Sequence, residues 1–380
     1  MEQRGTTVTP LAELDDLREL VGRPAPFLTD YAAFEPVTEA LAGEVRLRWE
    51  GRRRSLADAG VPDRVLDTVA TALARERRGA AGLAVVVPGD GDALVEWLAS
   101  PPDESAVWQP VPALRPLIAR RQRHLPYVVA LVDRAGADLR ACTGSVTDEE
   151  VTLTVAGEDD VIRKVQPGGW SQRRFQQRAE DSWQHNMTQV AAELAALAER
   201  VQAAVVAVGG DERAVGYLVD ALPATVRERV ERIGVTRAAD GSGDRLGAEV
   251  DAELASWSGA RVEAAMALHA EELGQGDRAT SGAGRTLEAL RAARVAVLLV
   301  AERAGDSAED RRAWIGPTRD QVATTPGDLA EPDAAAGAPL LDAAVTAALA
   351  SGAGVLVVPA GDDGSPPDDL GDGLGALLRW

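Results

Sequence analysis

Five short apolar runs constrain the fold of this chain more than any other feature: "GLAVVVPG", "YVVALVD", "AAVVAVGG", "VAVLLVAE" and "GVLVVPAG". Each is valine-rich and stops at a glycine, a proline or an acid. None approaches the ~18 apolar residues of a membrane span, so each reads as a buried strand. Each also lies near a stretch with helical spacing. "LAELDDLRELV" places Leu11, Leu14, Leu17 and Leu20 one turn apart, and "VLDTVATALARERRG" is a helix closed by Gly79. From Ser171 to about Gln202 one long helix is expected, with Phe175, Trp183, Val190, Leu194, Leu197 and Val201 apolar. "RVEAAMALHAEEL", "GRTLEALRAA" and "PLLDAAVTAALASG" read the same way.

The expected class is therefore mixed α/β, as three consecutive domains over residues 1–122, 123–257 and 258–380. In the first, "EVRLRWEGRRRSLADAG" alternates Val45, Leu47 and Trp49 with charges and reads as a half-buried strand entering a turn. In the second, "YVVALVDRAGADLRACTG" is a hairpin and "EEVTLTVAG" a further strand. In the third, "LGALLRW" is a closing strand. "GPTRDQVATTPGDLAEPDAAAGAP" has no period and is rich in Pro, Gly and Asp, so a mobile loop is expected.

Charge excludes some functions. The chain has 60 acidic and 40 basic residues, a formal charge of −20, which argues against broad, unspecific binding to nucleic acid. The one cysteine, Cys142, rules out an intramolecular disulfide and a Cys-rich zinc cluster. His124, His185 and His269 show no ligand-like spacing, so no metal is expected. No nucleophile elbow and no phosphate-binding P-loop appear, and "GDGDALVEW" reads as a turn, so no cofactor is expected. No basic head precedes an apolar run at the N-terminus. The chain reads as cytoplasmic, without a membrane partner.

One stretch breaks the acidic pattern. "IRKVQPGGWSQRRFQQRA", from Ile162 to Ala179, carries Arg163, Lys164, Arg173, Arg174 and Arg178 and no acid. Gly168 and Gly169 after Pro167 suit a sharp turn. Ser171 can cap the following helix. Arginines in a first helical turn oppose the macrodipole, yet together with free backbone N–H groups they form an anion site. Trp170 supplies a face on which a base can stack.

Together with "GRTLEALRAARVAVLLVAE" and the ending "GALLRW", this stretch and the hairpin before it resemble the bacterial branch of the archaeal and eukaryotic class-1 release factor and Pelota superfamily. That branch includes Balon-like ribosome hibernation factors and, more distantly, Vms-type peptidyl-tRNA hydrolases. The resemblance covers roughly residues 120–380. It implies a factor in the ribosomal A site, in hibernation or stress protection. The N-terminal domain would face the decoding centre and the middle domain the peptidyl-transferase centre. The expected partners are ribosomal RNA, the tRNA acceptor end and, through the C-terminal domain, elongation factor Tu. The RNA-binding residues it implies are Arg163, Lys164, Gly168, Gly169, Trp170, Ser171, Arg173, Arg174 and Arg178.

Release factors carry Gly-Gly-Gln at this place. Gly168 and Gly169 match the glycines, but Trp170 follows them and the first glutamine is Gln172. A catalytic group misplaced by about 1 Å can lose on the order of a hundredfold in rate, so a non-enzymatic role is favoured. The alternative is peptidyl-tRNA hydrolysis for rescue, with Gln172 positioning water. A third reading is a protein-interaction module, favoured if the five cations are dispersed over different faces.

Overall fold

The structure is a computed structural model that describes residues 14–34, 41–75, 80–133, 136–143, 151–156, 169–234, 243–276, 278–303, 311–361, 367 and 369–380. For 169–183, and for a few other residues of helices and strands, the backbone alone is described. The chain divides into two compact units, one of residues 1–123 with 258–380 and the other of residues 124–257.

The first unit opens with helix α1 (Asp15–Val21), strand β1 (Phe27–Ala33), helices α2 (Leu41–Asp58) and α3 (Asp63–Leu73), strands β2 (Gly82–Pro88), β3 (Leu94–Leu98) and β4 (Ser105–Gln109), and helix α4 (Arg115–Arg123). The strands form an antiparallel sheet in the order β3-β2-β1-β4. Alternation along each strand separates its two faces. Leu28, Leu83, Val85, Val87 and Trp97 pack against Trp49 and Leu56 of α2 and Val65, Leu66 and Val69 of α3. Phe27, Tyr31, Ala84, Val86 and Leu98 join a larger core with α1, α4 and the C-terminal segment. Its fully buried leucines, such as Leu17 and Leu117, each contribute roughly 2 kcal/mol.

One expectation is corrected here. "EVRLRWEGRRR" is part of helix α2, not a strand. Three alternating apolar residues also fit a helix when only some of them are buried. Leu47 is 64% exposed, while Trp49 and Leu56, two turns apart, carry the packing. Strands β1, β3 and β4 and helix α4 were not read from the sequence at all, and the part of "GDGDALVEW" read as a turn supplies most of β3.

The second unit holds β5 (Tyr127–Asp133), β6 (Gly136–Cys142), β7 (Val151–Ala156), helix α5 (Gly169–Arg200), β8 (Val205–Gly210), α6 (Glu212–Ala221), a short helix α7 (Ala224–Arg227) and β9 (Val230–Arg232). Helix α8 (Gly243–Gln275) begins in this unit. The sheet order is β7-β6-β5-β8-β9, antiparallel through β7-β6-β5 and parallel through β5-β8-β9. Gly210 ends β8 at φ +123°, and a Cβ there would lie 1.9 Å from the Val132 carbonyl oxygen, so only glycine fits. Asp211 then caps α6, accepting hydrogen bonds from the Arg213 and Ala214 N–H groups.

The C-terminal part of the first unit contains β10 (Ala279–Ser281), α9 (Ala283–Arg291), β11 (Val295–Ala301), β12 (Arg312–Ile315), β13 (Val322–Ala323), β14 (Ala336–Pro339), α10 (Leu340–Ala350), β15 (Gly354–Val358) and β16 (Leu374–Leu378). Its main sheet runs β10-β16-β11-β15, with β15 at the edge. The stretch expected to be a mobile loop is ordered: β13, two 3₁₀ turns and β14 fold onto β12 as a small antiparallel sheet. Its strands are two and four residues long and built mainly of Ala, Gly and Pro, too short and too uniform to show a period. Gln122 stitches α4 to the edge strand. Its amide accepts from the Val357 N–H at 2.7 Å and donates to the Val357 carbonyl at 3.1 Å, taking the place of a neighbouring peptide group.

Candidate functional site

The acid-free stretch lies between β7 and α5. Arg163, Lys164 and Gly168 fall outside the described residues, as does Gln166. Gly169, Trp170, Ser171, Gln172, Arg173, Arg174 and Arg178 all lie in the N-terminal turns of α5. The helix starts two residues before the Ser171 start read from the sequence, directly at the second glycine. At 1.5 Å per residue it is about 48 Å long. Its C-terminal half is anchored: Met187, Val190, Ala191, Leu194, Leu197 and Ala198 are buried against the sheet.

Helical geometry sorts the candidate positions. Positions 170, 174 and 178 succeed one another at four-residue steps and form one stripe. With position 173 they span an arc of about 140° on a 3.6-residue helix. Position 172 lies about 160° round the axis from 170, on the other side. Carried along α5, positions 174 and 178 are opposite the stripe of Met187, Val190, Ala191 and Leu194, whereas 172 and 173 both fall near it. The first turn holds no acid.

Residues 126–275 match the family model described as bacterial archaeo-eukaryotic release factor family 2. Over this segment the chain is similar to the bacterial branch of the release factor and Pelota superfamily. The uncharacterised protein Rv2629 of Mycobacterium tuberculosis H37Rv is 28% identical over 382 residues, with 96% of each chain covered. Among solved structures, Saccharomyces cerevisiae Dom34, described as a translation termination-like factor in RNA quality control that interacts with Hbs1, is 10% identical over 79% of this chain and 80% of that one, with a TM-score of 0.41. An archaeal Pelota described as bound to the ribosome with ABCE1 is 15% identical over 98% and 95% of the two chains, with a TM-score of 0.36.

The matched segment takes in both the Gly-Gly stretch and the whole of α5. Many arginines elsewhere have structural duties. Arg227 caps the end of α6 through the Asp220 and Leu222 carbonyls, and Arg229 holds the Ala203 and Thr225 carbonyls. Arg379 reaches the Ala293 and Ser351 carbonyls, and Arg120 those of Ser100 and Pro101. Arg121 binds Asp16 with both arms and Glu96 as well; against the cost of burial, Asp16 and Glu96 push its guanidinium pKa up. Five donors in a planar fork suit such carbonyl and carboxylate clusters.

Other chemistry is not assembled. Among the described residues, no three His, Cys, Asp or Glu side chains converge to hold a metal ion, and no helix is long and apolar enough to cross a membrane. His269 is buried, with Nε2 2.9 Å from the Thr280 carbonyl oxygen, and packs against Gly375, while His185 is exposed on α5. The signal that sequence reasoning missed is the helical phase of the site. Positions 170, 174 and 178 share one side, and positions 172 and 173 lie nearer the buried stripe.

Proposed function

We propose that this protein is a ribosome-binding factor that occupies the A site without reading a termination codon, in hibernation or stress protection. Residues 1–122 would face the decoding centre. The stretch from Arg163 to Arg178 would reach towards the peptidyl-transferase centre, with the arginines on phosphates and Trp170 stacked on an exposed base. The C-terminal segment would contact elongation factor Tu, and the protein would act in the cytoplasm. The family match of residues 126–275 supports a translation factor. The observation that supports the specific reading is the stripe of positions 170, 174 and 178 in the N-terminal turns of α5, with no acid in the first turn.

Hydrolysis of peptidyl-tRNA needs a water held at the ester and donors aimed at the oxyanion. Position 172 lies across the helix axis from position 170, which favours a binding role. The test is co-sedimentation with ribosomes. Arg173→Glu, Arg174→Glu and Arg178→Glu together should abolish pelleting, and wild-type pelleting should weaken as salt rises. A folded triple variant that pellets normally would transfer the assignment to a protein-interaction module.

A further inference from the structure

The N-terminal sheet hides a charge. Asp30, in the middle of β1, is 0% exposed and lies on the face that α2 covers. Its register partners Val85 and Ala106 offer it nothing polar on that face. Arg52 of α2 brings its Nε to 3.1 Å from Oδ1, but neither atom makes a properly directed hydrogen bond, and Oδ2 has no partner. An ionised carboxylate can accept about four hydrogen bonds, so this one is poorly satisfied where it sits. Arg52 is also shared. Its Nη1 is 3.4 Å from Glu104, which accepts from the Ala33 N–H as well, so two carboxylates compete for one guanidinium. Arg48 stands on the far side of Glu104 at 3.7 Å and ties its Nη2 to the Ala33 carbonyl. From α3, Asp63 and Asp67 are taken up by Arg53 on the outer surface.

We propose that helix α2 is a pH-gated flap, clamped on the N-terminal sheet when Asp30 is neutral and loosened when Asp30 ionises. The docked helix buries Asp30 beside Arg52, and an opened helix returns it to water. Burial first, opposed by Arg52 and reinforced by Glu104, pushes the Asp30 carboxyl up to about 6, against an ordinary 3.8. The docked state thus binds a proton more tightly than the open one. Docking is favoured at low pH and loses ground as pH rises from about 4 through about 6, levelling off above about 7. Between pH 5 and pH 7.5 the opening equilibrium should rise roughly tenfold. Opening would uncover the apolar face of Leu28, Val85 and Val87.

The experiment is hydrogen exchange of the α2 amides in the full chain at both pH values, corrected for intrinsic rates. Selective ¹³C labelling would follow the Asp30 carboxyl in parallel. The wild type should show the tenfold loss of protection confined to α2, with the carboxyl titrating near 6. Asp30→Asn should remove the pH dependence and hold α2 protected at pH 7.5. Glu104→Gln, which removes the competing charge, should move the midpoint to lower pH. Protection that does not vary with pH, or an Asp30 carboxyl that titrates at or below 4 in the wild type, would overturn the proposal. The titration decides it even if Asp30→Asn does not fold.

Discussion

Replacing Gln122 by alanine tests how the two ends of the chain are joined. The side chain is 4% exposed and makes two bonds to the backbone of one residue of the edge strand β15, bridging positions 235 residues apart. Alanine leaves both the Val357 N–H and the Val357 carbonyl without a partner in the interior. Each stranded buried group costs about 1–3 kcal/mol, so the loss should be about 2–5 kcal/mol. In a unit of this size a loss of that order lowers Tm by about 5–15 °C. Equilibrium urea unfolding should show a lower midpoint with an unchanged m-value. Gln122→Glu keeps the acceptor but loses the donor and buries a charge, so its deficit should be larger at pH 8 than at pH 5. Ser258→Ala, which removes only a bond to the Gln122 backbone carbonyl, should cost about 1 kcal/mol. A Gln122→Ala variant within about 0.5 kcal/mol of wild type would refute the view that this amide closes the sheet edge.

Other outcomes follow from single contacts. Gly210→Ala should cost more than about 2 kcal/mol or give insoluble protein, read by thermal unfolding, because its Cβ meets the Val132 carbonyl at a positive φ. Asp372 caps α9 from across the fold through the Ala283 N–H and pairs with Arg311, so Asp372→Ala should cost about 1–2 kcal/mol by urea unfolding. Gln172→Ala should leave ribosome pelleting unchanged, and the purified wild type should release no peptide from stalled peptidyl-tRNA complexes above background.

Much of the architecture is legible where local pattern and burial agree. The hairpin of β5 and β6 and the buried stripe Val190, Leu194, Leu197 and Val201 follow from period alone. The acid-free stretch is equally visible, because charge needs no fold to be counted. Helix α2 and strand β1 were lost together. The middle of β1 is "LTDY", whose Thr29 and Asp30 look like loop residues until Arg52 arrives from α2. Arg52 cannot arrive if its segment is taken as a strand. Gln122 is similarly silent: its partner is far along the chain, and a lone glutamine in "RRQRH" resembles any solvated residue. Whether position 170 shares the helical phase of 174 and 178 depends on where the helix starts, and a glycine pair leaves that start open.

The most direct test of the central claim is cryo-EM of ribosomes from starved cells that carry the tagged protein. The account predicts density in the A site, with residues 1–122 near the decoding centre and the Gly169 end of α5 directed at the peptidyl-transferase centre. A tagged protein missing from the ribosome fraction, or bound away from the A site with α5 facing solvent, would contradict it.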